Sequence, residues 1–115
     1  MRRLLPLAIL PAAAFADDAV IEGATAARIG GTWTFEVTLS HGDTGWDDYG
    51  DGWRIVTEDG TELGTRVLLH PHVDEQPFSR SLSGVTIPDG LATVYVEART
   101  TRDGWGEARY PVALK

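Results

Sequence analysis

Three histidines offer the most specific chemistry in this 115-residue chain: His41, His70 and His72. His70-Pro71-His72 sets two imidazoles two residues apart, and in extended backbone such residues point to the same side. Proline stiffens the link. If the strand that ends at His41 lies beside them, three imidazoles converge into a sulfur-free donor set suited to copper or zinc. Asp43, Asp74 and Glu75 stand close enough in sequence to complete the shell. The competing expectation is structural: a histidine beside a proline can hold a loop, its ring nitrogens bonded to carbonyls or carboxylates.

The acidic run Asp47-Asp48-Tyr49-Gly50-Asp51-Gly52 matches a calcium loop at its first, fifth and sixth positions, with Glu58 at the twelfth. The match fails at the third, Tyr49, and at the eighth, where Arg54 replaces an apolar residue. Nucleophile motifs are missing: there is no GxSxG, no HExxH and no cysteine, and the single lysine is the terminal Lys115. Ser79, Ser81 and Ser83 alternate as on one face of a strand, with nothing to activate any of them. The expectation is therefore a binding module rather than an enzyme. Its alternative to metal binding is recognition of a protein or glycan through Trp46, Tyr49, Arg102 and Trp105, residue types that dominate such contacts.

These residues need a scaffold, and the patterning predicts an all-β one. Trp33, Phe35, Val37 and Leu39 alternate with Thr34, Glu36 and Thr38. Val94, Val96 and Ala98 alternate with Thr93, Tyr95 and Glu97. Residues 53–56 and 65–70 read as a hairpin around Glu58-Asp59-Gly60. Residues 79–87 read as a strand bulged at Gly84. Residues 19–29 and 108–114 complete seven strands, Pro111 placing the last at an edge. Seven short strands with regular turns are the pattern of an immunoglobulin-like, fibronectin III-like antiparallel β-sandwich. Trp53 is its expected core tryptophan and Tyr95 a candidate corner tyrosine. In an up-and-down order, the connections after strands two, four and six (41–52, 70–78 and 100–107) share one end. They hold every histidine, 8 of the 17 acidic residues and most of the candidate aromatics.

Residues 1–16 read as an export signal: Arg2 and Arg3, a short apolar run, and Ala14-Phe15-Ala16 before the cut. The run is too short to span a bilayer, and no cysteine follows it to carry a lipid. Residues 17–115 then form one domain, periplasmic or secreted, with 8 basic against 17 acidic residues and a net charge of −9. Such a charge argues against nucleic-acid binding. The stretches His41-Gly42-Asp43-Thr44-Gly45-Trp46-Asp47-Asp48-Tyr49 and Leu69-His70-Pro71-His72-Val73-Asp74-Glu75-Gln76-Pro77-Phe78 resemble a type of small exported protein of Gram-negative bacteria. The resemblance implies export and no particular activity.

Overall fold

The computed structural model describes residues 18–115; the expected signal at 1–16 lies outside them. Those residues form eight strands and no helix: β1 (Val20–Ile29), β2 (Thr32–Ser40), β3 (Gly50–Val56), β4 (Glu62–Val67), β5 (Phe78–Val85), β6 (Thr93–Thr100), β7 (Gly104–Trp105) and β8 (Tyr110–Ala113). One sheet has the order β1-β2-β5. The other runs β4-β3-β6, and the free edge of β6 takes both β7 and β8. All pairings are antiparallel. Because β4 pairs with β3 and not with the first sheet, the sandwich is of the fibronectin III-like kind that the patterning implied.

Strand period explains the core. Trp33, Phe35, Val37 and Leu39 of β2 are all buried, as are Val94, Val96 and Ala98 of β6, and the inner faces of the two sheets merge into one cluster. Trp53 of β3 is fully buried in it, and burying a side chain of that kind stabilises by about 3 kcal/mol. Tyr95, by contrast, lies on the outer side of β6 with the Arg109 guanidinium over its ring at 5.7 Å, so it is not a corner tyrosine.

Two features differ from the sequence pattern. The connection expected at 100–107 holds an additional short strand, β7, which pairs with Arg99 and Thr100, while the last expected strand, 108–114, is β8, shortened to 110–113 and paired with residues 93–96. The expected strand at 65–70 ends at Val67, because the chain must cross the end of the sandwich to reach β5 in the other sheet. Leu68 still tucks under that end, its N–H donating to the Asp51 carbonyl at 2.9 Å, while Leu69 points outward. The bulge in β5 is present at Gly84, whose φ of +74° suits glycine, between the pairs Phe35/Leu82 and Trp33/Val85.

Candidate functional site at the loop end

The connections 41–49, 68–77 and 101–103 meet at one end, and one carboxylate holds two of them. Immediately after β2 the Asp43 N–H donates back to the His41 carbonyl at 2.8 Å, which turns the Asp43 side chain inward, where it is fully buried. Its Oδ1 accepts from His41 Nδ1 at 2.6 Å and from the Gly50 N–H at 3.0 Å. Its Oδ2 accepts from the His72 N–H at 2.8 Å. Gln76 repeats the tie: its Oε1 accepts from the His41 N–H at 3.0 Å and its Nε2 donates to the His72 carbonyl at 2.9 Å. The third connection joins through Thr101, whose N–H donates to the Tyr49 carbonyl at 2.9 Å and whose hydroxyl accepts from the Tyr49 N–H at 3.1 Å. Arg102 reaches Asp48 at 4.0 Å.

Two of the three imidazoles, those of His70 and His72, come near each other, and His72 offers its Nε2 to a cation rather than to a metal. The rings of His70 and His72 lie 4.6 Å apart, and His72 stacks on Phe78 at 3.9 Å with nearly parallel planes. Arg80 places Nη2 2.9 Å from His72 Nε2. A guanidinium can only donate, so Nε2 is the accepting nitrogen and the proton of the neutral ring sits on Nδ1. That nitrogen is buried and meets no hydrogen-bond partner among the described residues. Burial first, then the charge of Arg80 and the neighbouring His70, push the His72 pKa below the ordinary 6.5, against the weaker pull of Glu75 and Asp43.

The expected metal set of His41, His70, His72, Asp43, Asp74 and Glu75 is therefore not assembled. Among the described residues no group of three or more histidine or carboxylate side chains is arranged to hold an ion. The reasons are local. Asp43 spends both oxygens on loop N–H groups and His41, which also faces Asp48 with Nε2 3.8 Å from Oδ1. His72 has a cation at the nitrogen that would ligate. Glu75 faces Arg80 at 3.6 Å, Asp74 is exposed, and His70 Nδ1 lies 3.0 Å from the Pro71 carbonyl.

The aromatic candidates divide. Trp46 sits at the tip of a tight turn, closed by hydrogen bonds from the Asp48 N–H to the Gly45 carbonyl at 3.2 Å and from the Thr44 N–H to the Asp48 carbonyl at 3.0 Å. Tyr49 braces it edge-on at 5.7 Å, and the Trp46 side chain stays 67% exposed. It lines an open surface pocket of about 500 Å³ together with His70, Pro71, Val73, Asp74 and Glu75. Leu69 and Val73, which the sequence pattern did not single out, are exposed on the same connection. Trp105 is no loop anchor. It pairs with Arg99 in β7 and lies on the outer face of the second sheet, with the Arg54 guanidinium 3.8 Å and the Arg99 guanidinium 5.0 Å from its ring centre.

That face is a continuous ladder. Glu97 accepts from Arg54 Nε at 2.9 Å and from Arg109 Nε at 2.8 Å, and Arg99 Nε donates to Asp51 at 2.9 Å. Gly52 makes room for Arg99, since a Cβ there would stand 3.0 Å from its Nη2. Burial opposes ionisation of Glu97, but the hydrogen bonds and charges of Arg109 and Arg54 together outweigh it and hold the carboxyl below its usual range.

A stretch of 72 residues is 42% identical to a protein of the archaeon Halomicrobium mukohataei described as "Putative lipoprotein". The likeness is partial. It covers 63% of this chain and 35% of that protein, so the chain matches about a third of its relative's length. No family model matches the chain, and no solved structure does. With an archaeal relative, the resemblance to exported proteins of Gram-negative bacteria gains no support.

Proposed function

We propose that this protein is an exported, non-enzymatic binding module that recognises a protein partner through its loop end. The observation that carries the reading is the exposure of Trp46 (67%), Leu69 (77%) and Val73 (53%) on connections that are themselves locked by Asp43, Gln76 and Thr101. Large apolar side chains held rigidly in water are what an interface uses, because little ordering entropy is left to lose on binding. The polar groups of this end serve the loops: Asp43, Gln76 and Thr101 bridge them, which supports a recognition role over acid-base chemistry. Export is supported by the signal features of residues 1–16 and by the relative described as a lipoprotein.

The test is site-specific photocrosslinking in expressing cells. A benzophenone amino acid at position 69 is expected to give a discrete adduct that disappears in Trp46→Ala, while the same probe at position 29, at the opposite end, gives none. An adduct from both positions alike, from neither, or one that survives Trp46→Ala, would overturn the reading.

A further inference from the structure

We propose that the cavity beside Trp46 takes a cationic side chain, an arginine or a lysine, presented by the partner; this rests on the loop-end reading and names the chemistry that end selects. The cavity combines three elements that such a side chain needs. The Trp46 ring, fixed by its turn and by Tyr49, offers an exposed indole, the best aromatic surface for a cation. Pro71 and Val73 offer apolar contact for the aliphatic stem. Asp74 and Glu75 line the same pocket and supply carboxylates for the charge. Arg80 already neutralises part of Glu75 at 3.6 Å, which makes Asp74 the principal counter-charge. A chain of net charge −7 favours approach of a basic partner over an acidic one.

The molecule contains the same recognition once already, satisfied from within. Over Trp105 lies Arg54, and Glu97 Oε1 is 2.8 Å from the Arg54 Nη2. Tryptophan, guanidinium and carboxylate complete one another there. At Trp46 the tryptophan and the carboxylates are present, and among the described residues no arginine stacks on the ring. The missing component is the cation, and the cavity of about 500 Å³ is large enough for one side chain.

The experiment is a titration of the protein with N-acetyl-arginine amide and N-acetyl-lysine amide, and with the neutral isostere N-acetyl-citrulline amide, followed by the indole N–H resonance of Trp46 and the backbone resonances of Val73 and Asp74. Saturable shifts with the cations are expected, with citrulline at least about fivefold weaker. Asp74→Asn should weaken the cations several-fold, and Trp46→Ala should abolish the Val73 and Asp74 shifts while leaving the remaining spectrum in place. An equal response to citrulline, a cation response that survives Trp46→Ala, or no saturation with either cation would overturn the proposal. If the crosslink at position 69 still depends on Trp46 in that case, the loop-end reading stands and only the cation is wrong; if the cations bind but no crosslink forms, the reverse holds.

Discussion

Trp46 and Trp105 come from connections at the same end of the sandwich and look alike in sequence, each beside glycine and close to aspartate. In the folded chain they have opposite fates. Trp105 is drawn into the sheet by two backbone pairings and packed against the guanidiniums of Arg54 and Arg99, so its aromatic surface serves the domain's own stability. Trp46 stands on a two-residue tip whose hydrogen bonds close on themselves, and its surface is left to solvent. A tryptophan's role thus depends on whether the neighbouring backbone finds a strand edge. The free edge of β6 catches Gly104 and Trp105; the turn at 45–48 bridges back on itself, Gly45 pairing with Asp48.

The comparison can be tested from its foundations outward. The largest effect is expected for Asp43→Ala, which leaves the N–H groups of Gly50 and His72 and the His41 ring without their buried acceptor. A loss of about 3 kcal/mol in urea unfolding is expected. In hydrogen exchange the loop end should open while the Trp105 ladder stays protected. A loss under about 1 kcal/mol would mean that the end is held by something else. Next comes the pair itself: Trp105→Ala should cost about 2 kcal/mol through lost packing and cation–π contacts, and Trp46→Ala no more than about 0.5 kcal/mol. Equal costs would erase the distinction between them.

Acid should attack the two regions at different pH. Glu97 is more acidic in the folded state than its ordinary 4.5, so its contribution to stability is intact above 4.5 and is lost as pH falls below that toward the lower folded value. His72 is harder to protonate folded than unfolded, so its contribution is intact above 6.5 and declines as pH falls below 6.5, earlier than that of Glu97. Melting temperature followed from pH 8 to 3 should show both losses, the upper one absent in His72→Phe and the lower one reduced in Glu97→Gln. The smallest effect is expected from metals. Zinc or copper should leave the melting temperature unchanged at one-to-one ratios, and a saturable rise that vanishes in His70→Ala/His72→Ala would restore the metal reading.

The strand cores were legible because period two in β2 and β6 is written in neighbouring residues: Phe35 must face inward if Glu36 faces water. The gathering of three loops at one end was legible too, as a consequence of antiparallel order. The use of the histidines was not. His72 lost its candidacy as a ligand to Arg80, eight residues on, and His41 is tied through Asp43 to a connection 29 residues away from that aspartate. Nothing in the spacing of His70-Pro71-His72 signals a guanidinium at Nε2. The exposure of Leu69 was hidden for a similar reason: the apolar run 67–69 continues a strand pattern, and only the crossing between sheets ends it at Val67.

By itself, then, the sequence determined the all-β class, the inward residues of the central strands and the turns, since each follows from alternation and from residues adjacent along the chain. Tertiary structure alone decided which polar groups were already spent. That depends on partners brought together from distant strands, Arg54 to Glu97 and Trp105, Asp43 to His72, and a side chain's chemistry remains available only where such partners are missing.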